Sequence, residues 1–367
     1  MRWKEQMLSL KPYQPGKSIK SVKEEYGLQS IVKLASNENP FGYSNQVAEA
    51  LKEYQLSLEI YPDGYAGELR SALAEKLGVN DSQLIFGNGS DELIQIISRA
   101  LLYPGANTVM AAPTFPQYRH NAILEGAEIR EVPLVNGEHD LDGMLKAIDE
   151  ETNVLWLCSP NNPTGTYIPE IELLAFLEKV PPHVLVVLDE AYYEYVVASD
   201  FHDSVAIVNR FPNVIALRTF SKIYGLSGLR VGYGIADESI IQALEPAREP
   251  FNTNSLGQFA ASVALKDQDF IRTCREKNRQ GLEMFYRFCE KWDLEYYPSQ
   301  GNFILVNVHQ DANRVFQYLL ERGFIVRSGA ALGFPESVRI TVGSQEQIEG
   351  IINVFGAFLE KESQAKV

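Results

Sequence analysis

From residue 83 the chain alternates short apolar runs with segments whose apolar positions recur at helical spacing. Residues 83–86 read as a strand, and 91–102 as a helix with Leu93, Ile94, Ile97 and Leu101 on one face. The alternation continues with strands at 108–112 and 128–133 and helices at 117–125 and 141–148. Segments 153–158 and 184–188 are unbroken apolar runs bounded by turn residues. That is the pattern of strands buried on both faces of a parallel sheet. Segments 214–217 and 229–235 add two more strands. Alternation of this kind argues an α/β fold whose large domain has a mainly parallel central sheet flanked by helices.

The pattern changes after about residue 240. Helices are expected at 238–247 and 256–266, then a long polar one over 267–292. Short strands at 303–306, 324–326 and 338–342, with helices at 312–322 and 345–360, make a smaller α+β domain. Residues 1–30, with Pro12, Pro15 and Gly16, read as an irregular arm packing with that domain. The expected division is therefore arm 1–30, large domain 31–245 and small domain 246–367.

Composition narrows the function classes. A chain of 367 residues, 45% hydrophobic and 22% charged, has material for a large core and a second lobe, and is not a disordered chain. A formal charge of -15 argues against a nucleic-acid surface, though a few converging arginines suffice for a small anion. No stretch reaches the roughly 18–20 apolar residues of a membrane helix. The 3 cysteines form no C-x-x-C pair, and with no secretion signal they lead us to expect a reducing cytoplasm. The 5 histidines are scattered without metal-ligand spacing, so no metal is expected.

Four segments carry candidate chemistry. The apolar run ending in Leu188-Asp189-Glu190-Ala191-Tyr192 places Asp189 where ligands meet the carboxyl ends of parallel strands. By itself, an Asp there equally well begins a turn. In Thr219-Phe220-Ser221-Lys222, a lysine sits at the mouth of a strand, followed by glycines and Arg230. Desolvated or near other cations, such a lysine loses its proton and becomes a nucleophile, while Thr219, Ser221 and Arg230 are suited to a phosphate. The alternative is a solvated surface lysine. Cys158-Ser159-Pro160-Asn161-Asn162-Pro163 exposes Asn162 on a proline-stiffened turn. Gly87-Asn88-Gly89-Ser90-Asp91-Glu92 is a glycine loop before a helix, whose free N–H groups attract anions. It lacks the lysine of an ATP-binding loop, and a bound phosphate requires the Asp91 and Glu92 carboxylates to turn away.

Taken together and in this order, the four segments resemble the fold-type I pyridoxal-phosphate aminotransferases over nearly the whole chain. Lys33-Leu34-Ala35-Ser36-Asn37-Glu38-Asn39-Pro40, Tyr61-Pro62-Asp63, the 87–92 loop and the compact length make the histidinol-phosphate aminotransferases the most similar group. The resemblance implies that Lys222 holds pyridoxal 5'-phosphate as a Schiff base and shuttles the substrate proton. It implies that Asp189 pairs with the pyridine nitrogen, and that Tyr192 and Asn162 hydrogen-bond the ring hydroxyl. Gly89, Ser90, Thr219, Ser221 and Arg230 would surround the phosphate. Phe115 would stack on the ring, where many relatives carry a tyrosine. Tyr61 would reach the phosphate of a neighbouring subunit, which makes the expected assembly a homodimer with shared sites.

For the substrate, the resemblance points to Arg339, with Arg327, Tyr13 and Asn37 around it. Two arginines suit both a phosphate and the carboxylates of glutamate. The implied reaction converts L-histidinol phosphate and 2-oxoglutarate to imidazole acetol phosphate and L-glutamate in histidine biosynthesis. Competing readings keep the fold: an aromatic-amino-acid aminotransferase, or a decarboxylase of a phosphorylated amino acid. A cofactor-sensing DNA-binding regulator is disfavoured, because the aminotransferase pattern begins by residue 33 and the chain is acidic.

Overall fold

The computed structural model describes residues 1–10 and 17–365. In chain order its strands are β1 (Val32–Lys33), β2 (Leu84–Gly87), β3 (Asn107–Ala112), β4 (Glu128–Pro133), β5 (Thr152–Cys158) and β6 (Leu185–Asp189). They continue with β7 (Val214–Thr219), β8 (Gly232–Ala236), β9 (Phe303–Asn307), β10 (Phe324–Ile325), β11 (Arg327–Ser328) and β12 (Ser337–Thr341). Seven of them form one sheet in the order β2-β8-β7-β6-β5-β3-β4. Every pairing from β7 through β4 is parallel, and only β8 runs against its neighbours.

The unbroken apolar runs become the middle of this sheet, and β6 and β7 are buried along their whole lengths. Helices cover both faces, so the side chains of the central strands divide between two hydrophobic clusters. The helix Ser90–Leu101 buries Leu93, Ile94 and Ile97 on one face, as the spacing requires.

A second core surrounds the three-stranded antiparallel sheet β11-β12-β9 and includes Leu34, Phe285, Ile304, Val338 and Phe355. The long helix Gln268–Lys291 belongs to both cores. Ile271 and Cys274 lie in the first, and Leu282, Phe285, Phe288 and Cys289 in the second. Beyond residue 246 the first core also takes in Ala260, Ala261, Ile271, Cys274 and Phe303.

Two expectations are corrected. The stretch 1–30 is not irregular throughout: Glu5–Ser9 and Ile19–Tyr26 are helical. The second is capped by Ser18, stopped by Gly27 at φ 65°, and anchored by buried Val22 against Leu320 and Ile325. The strand expected at 229–235 begins only at Gly232, because Ser227–Leu229 is a tight turn and Arg230 adopts a left-handed φ of 55°. Helices at Asn45–Glu53, Gly67–Leu77, Glu170–Leu177 and Ser204–Arg210 lie in segments the pattern left unassigned. No helix among the described residues is long and apolar enough to cross a membrane.

One charged cluster lies wholly inside the protein. Glu190 accepts from Arg218 Nε at 2.9 Å and from Ser204 Oγ, and meets His202. Arg218 also donates to Ser204 at 2.7 Å and lies over the Tyr193 ring. Burial opposes the Glu190 charge, but Arg218 and His202 overcome it and hold the carboxyl below its ordinary range. Removing one partner leaves the other buried and uncompensated. Arg218→Met is therefore expected to destabilise the fold by about 3–5 kcal/mol, read as a drop in the urea midpoint. A midpoint within error of the unmodified chain's would show that the pair contributes nothing net.

Candidate active site

Register brings the four chemistry-bearing segments to one edge of the large sheet. Gly87 pairs with Gly232, Gly232 with Thr219, and Asp189 with both Leu217 and Cys158. This is the carboxyl edge of every strand but the reversed β8, whose start lies there instead. Lys222 follows β7, Tyr192 follows β6, Asn162 follows β5 and Phe115 follows β3.

One end of the site is built for an anion. Gly89 has φ 80° and immediately precedes the helix Ser90–Leu101, whose first-turn N–H groups lack intrahelical partners. A β-carbon at Gly89 would collide with the Arg230 guanidinium, and one at Gly232 with the Ser90 backbone nitrogen. The two glycines thus let backbone, guanidinium and loop approach closely. Arg230 donates to Ser221 Oγ at 3.3 Å and to Asn88 O at 3.4 Å. Thr219 Oγ1 accepts from the Ser221 N–H at 3.1 Å, which shapes the turn into Lys222. Of the two first-turn acids, Glu92 folds back to accept from Asn88 N–H and from Asn252 Nδ2. Asp91 does not turn away: its carboxylate meets Arg230 at 3.2 Å, so an incoming phosphate shares that guanidinium with it.

At the other end stands Asp189, 3% exposed. Burial pushes its carboxyl up to about 6, against the lowering effect of a 2.6 Å hydrogen bond donated by Tyr118 Oη. Tyr118 was not among the residues singled out from sequence. It lies three positions after Phe115 on the helix Pro116–Glu125 and stacks on Trp156 of β5 with centroids 4.7 Å apart. Phe115 packs edge-on against it at 5.6 Å. The fully buried tyrosine in Phe115-Pro116-Gln117-Tyr118 was the available signal, but a buried aromatic on a helix reads first as core.

Lys222 follows β7 on the same edge, its Nζ 5.6 Å from the centre of the Tyr192 ring. Burial lowers its amine to about 8, and Arg339 and Arg230 push the same way. Burial raises the Tyr192 phenol, whose oxygen accepts from Asn37 Nδ2 at 2.9 Å and Asn162 Nδ2 at 3.3 Å. Arg339, on β12, donates to Asn162 Oδ1 at 2.6 Å and to Ala35 O at 2.7 Å. Its direct cross-strand partner is Arg327 on β11. Residues opposite one another in an antiparallel pair share a face, so the two arginines stand on one side of the small sheet.

Of the sequence-derived residues, Lys222, Asp189, Tyr192, Asn162, Gly89, Ser90, Phe115, Thr219, Ser221 and Arg230 gather along this edge. Arg339 and Asn37 reach it through their bonds to Asn162 and Tyr192. Tyr61 instead stands 78% exposed, stacked on Phe251 at 4.8 Å. Tyr13 lies outside the described residues.

An amine with a lowered pKa, a buried carboxylate and an anion cradle form one continuous constellation. The family described as aminotransferase class I and II matches residues 29–355. A histidinol-phosphate aminotransferase of Geobacillus sp. (strain WCH70) is 64% identical over 362 residues, 99% of each chain. The enzyme of that name from Bacillus subtilis (strain 168) is 59% identical over 360 residues, 98% of this chain and 100% of the relative. The crystal structure of histidinol-phosphate aminotransferase from Sinorhizobium meliloti in complex with pyridoxal-5'-phosphate matches with a TM-score of 0.90 at 28% identity, over 98% of both chains. The chain belongs to the class I and II aminotransferases, and this full-length likeness places it among the histidinol-phosphate aminotransferases.

Proposed function

We propose that the chain is a pyridoxal-phosphate-dependent transaminase. It converts L-histidinol phosphate and 2-oxoglutarate to imidazole acetol phosphate and L-glutamate in histidine biosynthesis. The observation that carries this reading is Lys222, an amine lowered to about 8 by burial, on the sheet edge that also carries the glycine loop and Asp189. The residues fit the cofactor. Asp189 is a buried carboxylate pushed up to about 6, and a cationic ring nitrogen beside it supplies the counter-charge that restores its ionised form. Gly89, Ser90, Thr219, Ser221 and Arg230 hold the phosphate, and Phe115 covers the ring.

Bound there, pyridoxal phosphate supplies an electron sink for the charge left when the substrate's Cα proton departs. Lys222 Nζ takes up and returns that proton, a role its lowered pKa suits. Asp189 keeps the ring nitrogen protonated, and Tyr118 holds the carboxylate in place. Tyr192 and Asn162 orient the ring oxygen. Arg339 and its cross-strand neighbour Arg327 bind the distal phosphate of one substrate and the carboxylates of the other in turn. Tyr13 belongs to this proposal as a cover for the substrate pocket, and Asn37 as a residue beside it.

The homodimer is part of the same proposal. Leu58, Ile60, Tyr61, Tyr65 and Phe251 stand 85%, 65%, 78%, 69% and 45% exposed. A patch of such residues is suited to a second copy, with Tyr61 reaching that copy's phosphate cradle.

The neutral amine is the nucleophile, so cofactor capture by cofactor-free protein should accelerate with pH to a midpoint near 8. Stopped-flow absorbance reads this, and a midpoint near the ordinary lysine value would contradict the assigned environment. Lys222→Ala should abolish both capture and turnover. Arg327→Ala should weaken L-histidinol phosphate by roughly tenfold or more, the loss expected for a charge-assisted hydrogen bond, while L-phenylalanine changes little. Equal losses for both would remove the case for a phosphorylated substrate. The chain should sediment as a dimer, and Tyr61→Phe should weaken cofactor affinity by about tenfold with the dimer intact. A monomer, or unaltered affinity, would overturn the shared site.

A further inference from the structure

We infer that Thr341 is a positioning residue that sets which way the Tyr192 hydroxyl points, acting through the side-chain amide of Asn37. The inference rests on the pyridoxal-phosphate reading and deepens it.

Thr341 ends β12, two residues beyond Arg339 and therefore on the same face of the strand. Its hydroxyl accepts from the Asn37 backbone N–H at 3.0 Å, and its single hydrogen goes to Asn37 Oδ1 at 3.0 Å. That one proton decides the amide orientation. With Oδ1 committed to Thr341, Asn37 Nδ2 faces Tyr192 Oη and donates to it at 2.9 Å. The backbone of Asn37 is fixed as well, at φ 55°, with its carbonyl accepting from Asn302 Nδ2 at 3.0 Å.

The opposite side of the phenol is determined in the same way. Arg339 can only donate, so Asn162 turns Oδ1 toward it and Nδ2 toward Tyr192. Two amide donors then occupy the phenol oxygen, at a residue 3% exposed. Its own hydrogen is left for a third partner, the cofactor's ring oxygen. Without the Thr341 hydroxyl, the Asn37 amide is free to turn over and present Oδ1 to the phenol. Tyr192 then donates to Asn37, and the ring oxygen loses a donor. A ring oxygen without that donor holds the proton of the neighbouring lysine-bound nitrogen more tightly, so the nitrogen titrates at higher pH.

The test compares holoenzyme carrying Thr341→Val, Thr341→Ser or Tyr192→Phe, and the double variant, by pH titration of the absorbance band of lysine-bound cofactor. Thr341→Val, isosteric and lacking the hydroxyl, should raise the titration midpoint by about one unit, a tenfold change in proton affinity. Thr341→Ser should restore the original midpoint. In the Tyr192→Phe background, Thr341→Val should add nothing, because its effect passes through the phenol. Should the valine variant fail to fold, Thr341→Ala lacks the same hydroxyl, adds no bulk, and carries the same expectation. Equal midpoints for the valine and serine variants, or a full additional shift in the double variant, would overturn the inference. A wild-type protein with no such band would instead sink the cofactor reading itself.

Discussion

The site depends on the register of four strand ends. Gly87, Gly232 and Thr219 stand side by side across β2, β8 and β7, and Asp189 follows on the next strand, β6. A one-residue slip between neighbouring strands would move Asp189 or Thr219 to the opposite face of the sheet. Register is protected because the central strands are buried on both faces, so any slip exposes apolar side chains to the wrong layer. The hydrophobic core and the chemistry are therefore specified together. Val186, Leu188 and Ala216 on one side, and Val187, Ile215 and Leu217 on the other, fix where Asp189 and Lys222 stand.

On that frame the charges are arranged by burial. Lys222 and Asp189 are both held in forms closer to neutral than water would leave them, the amine lowered to about 8 and the carboxyl raised to about 6. Desolvation is the leading cause in both cases, and it is the condition a cationic ring and its phosphate relieve. Glu190, next in sequence to Asp189, is treated in the opposite manner. Arg218, Ser204 and His202 surround it and keep it charged. Two adjacent acids thus meet different surroundings: Asp189 ends β6, and Glu190 lies just past the strand, among Arg218, Ser204 and His202. Asp189 accepts neutral hydrogen bonds from Tyr118 Oη and the Ala191 N–H, whereas Glu190 meets the Arg218 guanidinium.

Much of this was legible in the chain. Apolar runs at 153–158 and 184–188, and helical spacing from 91, gave the central sheet because burial on two faces leaves few polar positions to confuse the reading. The segments around Gly89, Asn162, Asp189 and Lys222 stood out because strand ends and glycine turns mark them locally, while the role of each residue came only from the resemblance to a family. What sequence reasoning missed depends on distant contacts. Tyr118 is a core-like aromatic until its hydroxyl is seen against Asp189, 71 positions away. Thr341 is an ordinary strand threonine until it meets Asn37, 304 positions away. The helix Ile19–Tyr26 was missed because its single buried side chain, Val22, gives too narrow an apolar stripe to stand out among lysines and glutamates. At Arg230 an apolar run hid a left-handed residue, whose conformation follows from where its guanidinium must go.

The small antiparallel sheet contributes through one strand. β12 carries Arg339 and Thr341 on one face, and these reach Asn162 and Asn37, which converge on Tyr192. Arginine and threonine thus set two amides from one rigid strand, and the two amides leave a single direction for one phenol hydrogen. The arginine proposed to bind substrate also holds Asn162. Arg339 has therefore to keep part of its guanidinium on the amide while offering the rest to an anion, which a planar fork with five donors allows and a lysine ammonium does not. On the proposed reading, substrate recognition and cofactor orientation are joined through a shared side chain. Arg327 stands directly across the strand pair from Arg339, so the proposed substrate side of the arrangement also hangs on the register of β11 against β12.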